Sequence, residues 1–146
     1  MATLPESEAL AGEFDVPDDV RPVVDRVVSF VEEEVLPYEA EHAAHVGGPL
    51  DYLDDDGLMK PETRAMQAEI RERSADAGLY ALHMPAEVGG GGLSLREMFY
   101  VQEAVFRYGT GHGSSVARAM LAWTEGPSPR WSTSTRHNAG SGWNRS

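Results

Sequence analysis

Between Asp18 and Val46, in DDVRPVVDRVVSFVEEEVLPYEAEHAAHV, the apolar residues Val20, Val23, Val24, Val27, Val31, Val35 and Tyr38 recur at steps of three and four. That spacing puts them on one face of a helix and rules out a strand, whose buried residues alternate. Asp18 or Asp19 is the expected N-cap, and Pro22 suits the first turn, where a missing amide costs nothing. Pro37 lies inside the pattern and should kink the helix or end it there.

Two further helices carry their own start and stop signals. Lys60-Pro61-Glu62 opens one, with proline in the first turn and acid at the positive end of the dipole; it runs through Met66 and Ile70 to Ala77, and Gly78 is the expected C′ residue. Ser94-Leu95-Arg96-Glu97 has capping-box spacing, so another helix starts at Leu95. Its expected apolar face is Leu95, Met98, Phe99, Val105 and Phe106, and it stops before Gly109. SSVARAMLAW reads as a fourth helix, ending before Gly126-Pro127. The apolar segment Leu79–Met84 is too short to assign by period and is expected to pack inside the domain. No strand pattern and no internal repeat occurs. The prediction is an all-α domain, four main helices in an up-and-down or orthogonal bundle around one core. Residues 18–129 form that domain, after a flexible segment, 1–17, and before a disordered tail, 130–146.

Charge limits the function. The 146 residues hold 24 acids and 12 bases, with Lys60 the single lysine, which disfavours nucleic acid as a partner. A high-salt cytoplasm and GC-rich codon usage explain such acidity equally well. There is no cysteine, so thiolate nucleophiles, thiolate metal sites and disulfides are excluded. No signal-peptide pattern and no run of about 18 apolar residues appears, which predicts a cytoplasmic chain without a membrane span. Every acid lies at or before Glu125, whereas residues 126–146 carry Arg130, Arg136 and Arg145 in a Ser-, Thr-, Asn- and Gly-rich context without Leu, Ile or Val.

Several motifs invite chemistry and their spacing rejects most of it. In GGPLDYLDDDGLMK, placing Gly57 at the invariant glycine of a calcium loop leaves Tyr52 and Thr63 where the first and last ligands belong. His42 and His45 share a helical face but lack a third ligand. PAEVGGGGLS, Pro85 to Ser94, lacks the G-x-G-x-x-G spacing, the preceding strand and the Gly-Lys-Ser/Thr of nucleotide loops. A bare anion at the following helix N-terminus is the weaker alternative to a chain reversal that needs glycine for φ > 0 and close backbone approach. Gly113-Ser114-Ser115 is no nucleophile elbow, since no strand enters it and Ala117 stands where the last glycine belongs.

The order of these elements is more specific than any one of them. AGLYALHMPAEVGGGGLSLREMFYVQEAVFRYG, with Gly78-Leu79, Pro85, Gly89, Gly90, Gly92, Ser94 and Glu103, resembles the N-terminal helical domain of acyl-CoA dehydrogenases, and Glu34-Val35-Leu36-Pro37 fits its long first helix. The resemblance implies α,β-dehydrogenation of acyl-CoA thioesters with FAD as hydride acceptor. It also implies that flavin contacts and the catalytic glutamate lie in a middle β-domain and a C-terminal bundle, so no catalytic, cofactor or metal residue is assigned here. Ser114, Ser115, Val116 and Ala119 correspond to the acyl-pocket wall. The resemblance ends near Pro129, where acidity and periodicity also end, as a frameshift or truncated gene would produce. Expected alternatives are a split subunit completed by a flavoprotein partner, a self-associating chain, or a helical acyl-binding module.

Overall fold

A computed structural model describes residues 15–43, 52–109 and 116–122. Helix α1, Arg21–Phe30, passes through a π-helical turn, Val31–Val35, into α2, Leu36–Glu41. Helix α3 spans Pro61–Asp76 and α4 spans Leu95–Tyr108. Short 3₁₀ turns occupy Ala86–Val88 and Ala117–Met120. Among the described residues the only extended pairing is an isolated antiparallel bridge between Leu53 and Met59.

The long first helix follows its valines, but its N-cap departs from prediction, and of the two outcomes expected at Pro37, a kink or an end, the end does not occur. Neither Asp18 nor Asp19 caps it: Val20 is the N-cap and makes no side-chain capping bond. The first amides bond to the Pro17 carbonyl instead, Val20 and Arg21 each at 3.0 Å, which frees Asp19 to reach Arg96 at 2.9 Å. Nor does Pro37 end the helix. A proline ring collides with the carbonyl four residues back, here that of Glu33, and removes one bond of the ladder. The π turn immediately before it, in which the Leu36 amide bonds to Val31 five residues away, widens the backbone where that carbonyl sits. The helix continues as α2, with Pro37 in its first turn.

Helix α3 begins and ends as its sequence signals predict. Gly78 is left-handed at φ +72°. Its amide bonds to Ala75 at 2.9 Å and that of Leu79 to Ser74 at 2.8 Å, the paired bonds of a Schellman stop. The buried face of α3 is half polar: Thr63, Gln67 and Ser74 alternate with Met66 and Ile70. Ser74 Oγ donates to the Met120 carbonyl at 2.6 Å and so ties α3 to the 3₁₀ turn it packs on. The segment after it is internal as predicted, with Leu79, Leu82, His83 and Met84 buried.

One core joins these elements. Val20, Val24, Val27, Val31 and Val35 from the first helix meet Met98, Val101, Ala104 and Val105 of α4, with Met66, Ile70, Leu82, Val116 and Met120 completing it. Each such valine, leucine, isoleucine or methionine contributes about 1.5–3 kcal/mol when fully buried. Two predictions are corrected here. The described part of the fourth helix is the 3₁₀ turn Ala117–Met120; Leu121 is already extended, at φ −113° and ψ 130°, so the α-helical pattern is not continued. On α4, Met98 and Val105 are buried as expected, but Leu95, Phe99 and Phe106 are 74%, 63% and 42% exposed. The buried face is Met98, Val101, Ala104 and Val105, because helix α1 covers that side. The predicted segments 1–17 and 130–146 and His45 lie wholly or mainly outside the described residues.

Candidate functional site

The glycine loop is the feature with the strongest claim to chemistry, and its hydrogen bonds decide what it does. Pro85 leads into the Ala86–Val88 turn, and Gly89 and Gly92 take φ of +84° and +68°. The intervening glycines are not left-handed; they are needed for contact. A Cβ on Gly90 would lie 2.2 Å from the Met84 carbonyl oxygen, and one on Gly91 would lie 2.8 Å from Leu82 Cα. The amides of Gly90, Gly91, Gly92 and Leu93 donate to the carbonyls of Pro85, Ala81, Met84 and Leu82 at 2.8–3.1 Å. A phosphate cradle needs free amides pointing at the ligand. Here they are spent on folding the loop against residues 81–85.

The start of α4 is closed to anions in the same way. Ser94 Oγ accepts from the Glu97 amide at 3.3 Å, and the Glu97 carboxylate accepts from the Ser94 amide at 2.7 Å and its hydroxyl at 2.6 Å. These bonds, the hydroxyl first, hold the Glu97 carboxyl below its ordinary value. The helix thus carries its own carboxylate where an external anion would sit. Arg96, the nearest base, is held by Asp19 at 2.9 Å and stacks 5.8 Å from the Tyr100 ring centroid.

This succession of Schellman stop, buried apolar segment, glycine reversal and capping-box helix lies within a stretch, residues 58–125, that matches the family model described as acyl-CoA dehydrogenase, N-terminal domain. The match supports an acyl-CoA dehydrogenase N-terminal domain over that stretch. No curated protein and no solved structure matches it.

The residues predicted for the acyl-pocket wall are placed unequally. Val116 is fully buried and Ala119 6% exposed, both against the core, while Ser114 and Ser115 lie outside the described residues. A groove of about 610 Å³ lies between α1, the π turn and the end of α3, lined by Asp25, Arg26, Ser29, Glu33, Glu34, Arg73 and Asp76 among others. Its cations are engaged: Arg73 pairs with Glu69 at 2.9 Å and Glu34 at 3.1 Å and lies 4.8 Å from the Tyr38 ring centroid, and Arg26 donates to the Ala77 carbonyl at 3.0 Å. A wall with four carboxylates repels the diphosphate that FAD and CoA share. The loop amides, the α4 terminus and this groove therefore do not fit the phosphates of a flavin dinucleotide.

Metal chemistry finds no support among the described residues, where no group of three or more His, Asp or Glu side chains could hold an ion. Asp54 of the rejected calcium loop turns its Oδ1 inward, accepting from the amides of Asp56 and Leu58 at 3.0 and 2.9 Å. His42 Nδ1 lies 2.8 Å from the Tyr38 carbonyl, its ring 4.3 Å from that of Tyr38. No helix among the described residues is long and apolar enough to cross a membrane.

Sequence reasoning missed the Glu34–Arg73–Glu69 cluster. The Glu69–Arg73 half has i,i+4 spacing and was open to detection; Glu34 is 39 residues away in the chain and becomes a partner only once α3 packs beside the π turn.

Proposed function

We propose that this domain forms the N-terminal helical part of an FAD-dependent enzyme that dehydrogenates acyl-CoA thioesters between Cα and Cβ, with the flavin contacts and the catalytic base supplied by polypeptide beyond residues 58–125. The observation supporting the reading is the glycine reversal inside the family match: its amides are committed to the fold, so its contribution is architectural. In this reading Ser114, Ser115, Val116 and Ala119 bound the acyl chain, Val116 and Ala119 from the core side. Cytoplasmic action on fatty-acid or related acyl substrates belongs to the same proposal.

The test is reconstitution. The purified chain alone is expected to carry no stoichiometric FAD and to reduce no acceptor dye with acyl-CoA. Added to a flavoprotein that supplies the remaining domains, it is expected to restore acyl-CoA-dependent dye reduction. Stoichiometric flavin on the isolated chain would overturn the assignment of flavin binding to other polypeptide.

A further inference from the structure

The groove between α1 and the end of α3 is acidic, and its acids are not all used. Of the four carboxylates that line it, Glu34 is paired with Arg73, whereas the side chains of Asp25, Glu33 and Asp76 hold no ion pair or hydrogen bond among the described residues. All three are exposed, and the buried Phe30 and Leu79 add apolar lining. Three unpaired carboxylates along one concavity raise its negative potential and favour a cationic occupant.

The same chain carries a segment of the opposite sign. Residues 126–146 contain Arg130, Arg136 and Arg145 and no Asp or Glu; without Leu, Ile or Val they have little with which to build a core of their own. The chain is also led towards the groove. Ser74, two residues before Asp76, donates to the Met120 carbonyl, and the last described residue, Ala122, donates its amide to the Tyr80 carbonyl at 2.8 Å, beside Leu79 of the lining. Arg130 stands eight residues further on, a reach of about 28 Å when extended. The whole 16-residue length of α3 is about 24 Å, so the groove at its C-terminal end lies within that reach.

We infer that residues 126–146 dock in this groove, with their arginines beside Asp25, Glu33 and Asp76. The inference does not depend on the proposed function. Exposed ion pairs are weak one by one, and the tether makes up for it, because a short linker holds its cargo at an effective concentration of about 1 mM. A contact with a Kd of about 1 mM is then occupied about half the time. Salt releases it, since the Debye length shrinks from about 10 Å at 0.1 M to about 3 Å at 1 M.

The chain supplies its own probe. Its three tryptophans, Trp123, Trp131 and Trp143, all follow the last described residue, so tryptophan fluorescence of the full chain reads this segment alone, and quenching by neutral acrylamide reads its accessibility. The quenching constant is expected to rise at least about 1.5-fold as NaCl is raised to about 1 M. Asp25→Asn, Glu33→Gln and Asp76→Asn together should give the high-salt value at low salt, with an unchanged helical signal, and so should Arg130→Glu with Arg136→Glu. Adding Asp25→Arg and Glu33→Arg to the latter pair should restore the protection. Asp55→Asn, Asp56→Asn and Glu62→Gln, at the opposite end of α3, should leave it intact. A quenching constant indifferent to salt and to the groove substitutions, or an equal response to those at the opposite end of α3, would overturn the inference. Protection lost on hundredfold dilution would assign the groove to the segment of a second copy and refute docking within one chain.

Discussion

Gly90→Ala isolates what the glycine loop is for. Gly90 has no left-handed φ, so alanine carries no backbone penalty there; its cost is contact alone. The new Cβ would stand 2.2 Å from the Met84 oxygen, 2.4 Å from its carbonyl carbon and 2.4 Å from its Cβ, against an ordinary contact of at least 3.4 Å. The two sides of the reversal must part by about 1 Å, and two of the three obstructing atoms are backbone. Overpacking of this kind costs about 1–3 kcal/mol. Parting the chains also stretches the bonds from Gly92 to Met84 and from Leu93 to Leu82, now 2.8 and 3.0 Å, each worth about 1 kcal/mol. The sum is about 3–5 kcal/mol, a large part of the 5–15 kcal/mol that holds a typical domain together. Gly89→Ala is the control: φ is +84° but nothing lies within 4 Å of its Cβ, so it should lose only the left-handed penalty of about 1–2 kcal/mol. Urea unfolding followed by circular dichroism measures both. If Gly90→Ala loses less than about 0.5 kcal/mol, or Gly89→Ala loses more than it does, close backbone approach is not the reason for these glycines.

Other outcomes follow from single contacts. Ser74→Ala should cost about 1–3 kcal/mol in the same assay, because it orphans the Met120 carbonyl in the core. Thr63→Val should be neutral or stabilise by about 1 kcal/mol, since the Thr63 hydroxyl is fully buried and has no hydrogen-bond partner among the described residues; a clear loss would reveal a partner. Glu97 has a folded pKa below its ordinary 4.5, so its contribution is present at neutral pH and is lost as pH falls below 4.5 and through the lower folded value. The stability gap between wild type and Glu97→Gln should therefore narrow as pH falls below 4.5 and close once it has passed the lower folded value, as midpoints taken along a pH series would show. Arg73→Ala should change stability by less than about 1 kcal/mol despite two ion pairs, because both are solvent-exposed.

The features legible in the sequence are those set by a few neighbouring residues. Ser94 and Glu97 specify their cap whatever lies nearby, and Gly78 stops α3 because only its own last turn is involved. Features that depend on a distant surface were read incompletely. Leu95, Phe99 and Phe106 have the composition of a core face, but α1 fixed which side of α4 would be covered, and periodicity holds no information about that choice. Asp19 has the right type and place for an N-cap, yet Arg96, 77 residues away, holds it elsewhere. As for the loop, spacing argued against phosphate binding, but only the acceptors at Ala81, Leu82, Met84 and Pro85 explain why its amides are closed.

The π turn in the first helix also resets phase. Val27, Val31, Val35 and Glu39 are spaced by exact fours and all are buried. In an uninterrupted α-helix each such step overshoots a full turn by about 40°, so Glu39 would have rotated about a third of the way round from Val27. Five residues wound more loosely absorb the surplus and keep the stripe aimed at the core. The turn amounts to one inserted residue, and removing one of Glu32, Glu33 or Glu34 should restore plain α geometry with both flanking faces in place. Pro37 would then stand in the interior of that helix, at a cost of about 3 kcal/mol. The shortening is expected to be tolerated only together with Pro37→Ala, so the inserted residue can be lost only along with the proline.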